Sequence, residues 1–313
     1  IEDYRYVQSN NINLGYELLP SQKNKISAEN RNLAIWTNSD GLRDREHSKI
    51  NSNLFFRVAF LGDSVLMGSE LQISELVTSQ LENIINFNKK NIEIFNVSID
   101  GLNTKGEVAL FEEKIIPYSP NLVVINYVRN DTNNYTADLE EKIVHSKINQ
   151  EILHIIKKFK SLTWIYYFTC LIKQNYLLNK QKKLSNDNIL EGLQQLQYLA
   201  QIYKFKIIIF LWPEFFQDKI LSCEDTQTSM VCSDSNLRID SLAKHFNFEV
   251  IRLDKYFSKA CNDLRLYQNN RLNCKNYLTE NGMHPNIIGS KIAANIFYEI
   301  LNKKYFLQNA SVQ

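Results

Sequence analysis

A hydroxyl, an imidazole and a few N–H donors are the parts of an acyl-transfer site, and four separated stretches of this chain supply them. In "RVAFLGDSVLMG" the apolar run Val58 to Leu61 ends on Gly62-Asp63-Ser64. A serine on a tight turn after a strand is exposed for attack. "ENGMHPN" places His284 directly before Pro285, a favoured first residue of a helix. A helix N-terminus beside His284 would favour the neutral imidazole that a general base requires. "NVSIDGLNT" supplies Gly101, whose N–H can approach a ligand oxygen unobstructed, and "VRND" supplies the Asn130 amide. The N–H groups of Ser64 and Gly101, with the Asn130 amide, would form a three-donor oxyanion hole.

These residues need a scaffold that gathers them. "RVAFLG", "IEIFNVS", "NLVVINYV", "KIIIFLW" and "FEVIRL" read as strands, alternating with helical spacing over 73–87, 104–116, 235–246 and the closing "PNIIGSKIAANIFYEILNKKYF". Near-continuous apolar strands separated by helices predict a five-stranded parallel sheet in a three-layer α/β/α domain. Ligands in such sheets bind beyond the carboxyl ends of the strands, where three of the four stretches fall. Residues 1–50 read as an irregular lead-in and 51–313 as the domain, with a helical insertion at about 138–204. The aromatic run from Trp164 to Phe168 reads as core.

"GDSVLMG", "NVSIDG", "VRND" and "NGMHPN", in this order and on these elements, resemble blocks I, II, III and V of the SGNH (GDSL-type) hydrolases, across roughly residues 55–302. The resemblance implies a flavodoxin-like fold, serine esterase or acyltransferase chemistry, and no metal or organic cofactor. It makes Ser64 the nucleophile and first oxyanion donor, Gly101 and Asn130 the other donors, and His284 the base. The segment "NSDGLRD", Asn38 to Asp44, is similar to the stretch before block I in bacterial extracytoplasmic members, many of which act on acyl groups of surface polysaccharides. Two positions depart from the pattern. Val128 stands where block III carries glycine, and Asn281 stands where block V carries aspartate, three residues before the histidine.

Asn281 leaves several readings open. A Ser–His pair could be oriented by the Asn281 carbonyl, provided the amide is turned that way, or by a main-chain carbonyl. Glu280 could take the carboxylate role. The domain could instead bind glycan without catalysis, or the substrate could be a lipid ester. The expected partner is an acylated glycan or a small ester.

With 36 basic and 34 acidic residues the net charge is +2, so no strong field for nucleic acid or a membrane surface is expected. The chain begins at Ile1, and a signal peptide or anchor is expected ahead of it. Cys223 with Cys232 and Cys261 with Cys274 flank polar, loop-like stretches. Disulfides there would place the protein outside the cytoplasm, while free thiols would not. Cys170, in an apolar run, reads as buried. No CxxC or histidine cluster points to zinc. His47, His145, His154 and His245 read as surface or helix residues, Asp100 as a loop carboxylate, and Trp212 as a seal on a strand end.

Overall fold

A computed structural model describes residues 6–28, 31–51, 55–88, 91–128, 131, 187–216, 219–221, 234–267 and 273–306. Asn130, Cys170, Cys223, Cys232, His145, His154, Trp164 to Phe168 and positions 138–186 of the expected insertion lie outside them.

The sheet has five parallel strands: β1 (Phe56–Gly62), β2 (Ile92–Ser98), β3 (Leu122–Tyr127), β4 (Lys206–Leu211) and β5 (Glu249–Arg252). Their spatial order is β2-β1-β3-β4-β5. The chain winds outward one way to β2 and then the other way from β3 onward. The reversal falls between β1 and β3, the switch point where open α/β sheets bind ligands. Every residue of β2 and β3 is buried, because helices cover both faces.

The described helices are α1 (Ser64–Met67), α2 (Val77–Phe87), α3 (Thr104–Lys114), α4 (Asn188–Tyr203), α5 (Asp234–His245), α6 (Asp254–Tyr267), α7 (Cys274–Leu278) and α8 (Ile287–Leu301). Alternation along β1 sends Ala59 and Leu61 to a core shared with Phe111 of α3, Leu196 of α4 and Ile239 of α5. Val58 and Phe60 point the other way, toward Leu81 of α2, Phe257 of α6 and Phe297 of α8. The Phe60 and Phe297 rings stack at 5.4 Å, so the closing helix rests on the strand that leads into Ser64.

Four expectations need correction. The lead-in is not irregular. It forms two antiparallel strand pairs, Tyr6–Gln8 with Tyr16–Leu18 and Lys23–Ala28 with Arg31–Trp36. Tyr6, Leu14, Tyr16, Leu18 and Leu42 are buried in the same core as the sheet. The 261–274 stretch is not simply loop: Cys261 lies in α6 and Cys274 opens α7. A disulfide joins them, with Cα atoms 6.1 Å apart. Pro285 does not open the closing helix. It pairs with Thr279 in an antiparallel bridge, and Asn286 is the N-cap, accepting from the N–H groups of Ile288 and Gly289. His47 is not a surface residue. Its ring is enclosed between Asp44 and Glu93 and stacks on Phe95. Among the described residues no helix is long and apolar enough to cross a membrane.

Candidate active site

β1 delivers the serine. Asp63 caps α1 by accepting from the Val65 N–H at 3.0 Å, and its second oxygen lies 3.3 Å from Ser64 Oγ as acceptor. Ser64 is the first helical residue of α1, so its N–H has no acceptor within the helix. The side chain is half-buried, open enough to meet a substrate.

β2 runs alongside β1 with Ser98 opposite Gly62, so the Gly101 loop leaves the sheet beside the serine turn. Gly101 has φ +73°, a left-handed conformation that favours glycine. Among the described residues no hydrogen bond takes up its N–H. Asp100 ties the two loops together, accepting from Ser69 Oγ at 2.8 Å and Tyr6 Oη at 3.0 Å. It is therefore a structural latch rather than a spare loop carboxylate.

Asn130 follows β3. On its described flanks Asp131 accepts from the Val128 N–H at 2.8 Å and returns its own N–H to Val128 O at 3.2 Å. Burial, reinforced by Glu107 and Asp63, pushes the Asp131 carboxyl well above the usual range, while the Val128 N–H opposes the shift. Glu107 of α3 is also fully buried, and among the described residues neither of its side-chain oxygens has a hydrogen-bond partner. Burial and the Asp63 charge push its pKa well above 4.5.

The histidine arrives on a braced loop. Gly282 N–H donates to Thr279 Oγ1, Phe215 N–H to Gly282 O, and Glu280 N–H to His284 O, each at 2.9 Å. Trp212, just past β4, donates its indole N–H to Met283 O at 3.0 Å, so it fixes this loop as well as covering the strand end. His284 Nε2 lies 2.7 Å from Ser64 Oγ, across a sequence separation of 220 residues.

Asn281 lies at the other side of the ring, exposed to solvent. Its Oδ1 accepts from the N–H groups of Met283 at 3.2 Å and His284 at 3.1 Å. Those two donors fix which end of the amide is oxygen, since a reversed amide would set N–H against N–H. The Nδ2 atom then faces His284 Nδ1 at 2.8 Å, while Oδ1 lies 3.1 Å from the same ring nitrogen. Both amide atoms lie within hydrogen-bond reach of Nδ1, so the imidazole tautomer decides whether Asn281 donates or accepts there. Among the described residues no hydrogen bond joins the Glu280 carboxylate to the imidazole, and no group of three His, Cys, Asp or Glu is placed to hold a metal ion.

The structure thus brings Ser64, His284 and Asn281 together and sets the Gly101 loop beside them. Sequence reasoning missed His47 and Arg43. His47 gave no local signal, because Glu93, one of its two partners, is 46 residues away. Burial of the His47 ring opposes its charge, but hydrogen bonds to Asp44 and Glu93 outweigh this and raise its pKa to about 9. In Glu93, burial is likewise outweighed by His47 and Arg57, and its pKa falls to about 2.

No family model matches the chain, and no curated protein matches it. Among solved structures, an acetyl xylan esterase, AlAXEase, is 16% identical over 78% of this chain and 99% of its own, with a TM-score of 0.48. A GDSL-like lipase from Bacteroides thetaiotaomicron is 18% identical over 79% of this chain and 88% of its own, with a TM-score of 0.41. A psychrotrophic esterase, EstA from Pseudoalteromonas sp., is 13% identical over 79% and 97%, with a TM-score of 0.45. These scores lie below 0.5, and the functional reading rests on the side chains described above.

Proposed function

We propose that this protein is a serine ester hydrolase of the SGNH type, forming an acyl-enzyme on Ser64 with an acetyl or other short acyl group carried by a glycan. The observation that carries the reading is the 2.7 Å contact between Ser64 Oγ and His284 Nε2 at the switch point of the sheet. Ser64 Oγ attacks the ester carbonyl as its proton passes to His284 Nε2. The oxyanion faces the Ser64 and Gly101 N–H groups, with the Asn130 amide as third donor. Collapse breaks the C–O bond to the leaving alcohol, which takes the proton from the imidazolium. Water, or a sugar hydroxyl in the transferase variant, then attacks the acyl carbon as His284 takes its proton, and collapse breaks the bond to Ser64 Oγ, which recovers that proton from the imidazolium. The glycan part of the proposal draws support from the "NSDGLRD" lead-in, and an extracytoplasmic location draws support from the Cys261–Cys274 disulfide.

One observation favours a second reading, a glycan-binding domain with little catalysis. The Asn281 amide N–H at His284 Nδ1 supports the tautomer with its proton on Nε2, and that proton points at Ser64 instead of leaving room for the serine's own. The deciding experiment is reaction with a serine-directed alkyl phosphonate, followed by mass spectrometry of the peptide containing Ser64. Stoichiometric adduct on Ser64 supports the hydrolase. No adduct on the folded protein, together with retained glycan binding, supports the second reading.

A further inference from the structure

We propose that Arg43, in the lead-in rather than in any of the four blocks, is a positioning residue for the nucleophile; the inference rests on the proposed role of Ser64. Helix α1 is a single turn, closed by hydrogen bonds from Met67 N–H to Asp63 O and Gly68 N–H to Ser64 O. A helix this short leaves its last carbonyls without acceptor duty inside the helix. Gly68 then turns the chain with φ +54°, in the left-handed region. Three carbonyls at and just beyond the end of this turn point at one guanidinium. Arg43 Nη1 donates to Met67 O at 2.6 Å and to Gly68 O, and Nη2 donates to Leu71 O. Arg43 is fully buried, so these bonds are shielded from competing water.

The arginine is itself held rigidly. Asn38 Oδ1 accepts from the N–H groups of Asp40 and Leu42, and Asn38 Nδ2 donates to Arg45 O at 3.0 Å. Asp44, the next residue, accepts from the Asn96 N–H of β2 at 2.8 Å. The Asn96 side chain donates onward to Leu66 O within α1 at 3.3 Å. The segment Asn38 to Asp44 is therefore a bracket. It is fastened to β2 at one point and reaches beneath the serine turn at another. Its planar fork spans carbonyls that a single ammonium cannot reach together. By fixing the far end of a one-turn helix, it fixes where Ser64 Oγ sits relative to His284 Nε2.

The test compares Arg43→Lys and Arg43→Met with the wild type. Arg45→Ala, which breaks ion pairs to Glu82 and Glu93 but touches none of the α1 carbonyls, controls for loss of stability without loss of position. Positional control of a nucleophile is worth about 10²-fold per ångström of displacement. Arg43→Lys keeps the buried charge, and it is expected to lower kcat on an acetyl ester about 10- to 100-fold with KM within about twofold. Its rate of phosphonate capture at Ser64 should fall in parallel. A crystal structure of Arg43→Lys should show Ser64 Oγ displaced from His284 Nε2, a readout that needs no activity. Arg43→Met, if it folds, should fall further. Arg43→Lys with a lowered melting temperature, wild-type kcat and an unmoved Ser64 would overturn the proposal, because Arg43 would then only stabilise. A wild type inert to esters and phosphonate would defeat the esterase reading. The Ser64 position in the Arg43→Lys crystal would then still decide whether Arg43 places this side chain.

Discussion

Asn281→Asp should replace an amide that can donate or accept at His284 Nδ1 with a group that only accepts. The substitution keeps the shape of the side chain. One carboxylate oxygen can still accept the Met283 and His284 N–H groups, and the other replaces the amide nitrogen now 2.8 Å from Nδ1. Nδ1 then carries the proton, and Nε2 presents its lone pair to Ser64. In the transition state a carboxylate about 3 Å from the imidazolium is worth about 1.4 kcal/mol at the dielectric constant of water and about 5.5 kcal/mol at an effective value of 20. Those limits correspond to factors of about 10 and about 10⁴ in rate. The reverse change in a serine protease costs about 10⁴. Position 281 is exposed, so solvent screens the pair, and an increase in kcat of about 10²–10³ with little change in KM is expected. The assay is hydrolysis of 4-nitrophenyl acetate and of an acetylated oligosaccharide between pH 5 and 9, with Asn281→Asp/Ser64→Ala as the blank. An unchanged kcat in Asn281→Asp would refute the tautomer argument. If Glu280→Gln also abolished wild-type activity, the role would pass to Glu280.

Three further outcomes can be measured. His47 has a folded pKa of about 9 against 6.5 unfolded, so its ion pairs stabilise fully below pH 6.5 and that contribution is lost as pH rises through 9. Melting temperature should fall between pH 7 and 9.5, and His47→Gln should flatten that slope. Glu107 has a raised folded pKa, so keeping it neutral costs progressively more as pH rises above its unfolded value. Glu107→Gln should therefore raise the melting temperature more at pH 8 than at pH 5, and equal changes at both would count against a buried neutral acid. Trp212→Phe keeps the packing on Phe257 but removes the donor to Met283 O. Denaturant titration should show a loss of about 1 kcal/mol, and kcat should drop several-fold as the His284 loop loosens.

The central strands were legible because they are buried on both faces and therefore read as near-continuous apolar runs, as in Leu122–Ile125. The chemical residues were legible because they cluster just beyond those runs. The short strands Tyr6–Gln8 and Tyr16–Leu18 were not, since three residues carry too little period and are flanked by Asn and Ser. The helix Asp254–Tyr267 went unread because charges interrupt its apolar face and cysteine spacing drew attention to loops instead. The start of α8 was misplaced because Pro285 and Asn286 are both start signals, and the cap won over the proline. The carbonyls that Arg43 reaches and the Glu93 partner of His47 lie 24 to 46 residues away, which no local pattern encodes.

The 220-residue gap between Ser64 and His284 also governs when the site comes into being. β1 lies inside the sheet, yet its serine gains a base only after α8 has docked, with Phe297 against Phe60 and Ser290 Oγ on Glu75 O. Closing so long a loop comes late, because its entropic cost precedes any reward. A chain released or cut before α8 could assemble much of its sheet while holding an isolated serine. Turnover is then a gauge of C-terminal docking rather than of secondary structure. Mild denaturant that lifts α8 should silence the enzyme while its far-ultraviolet signature persists.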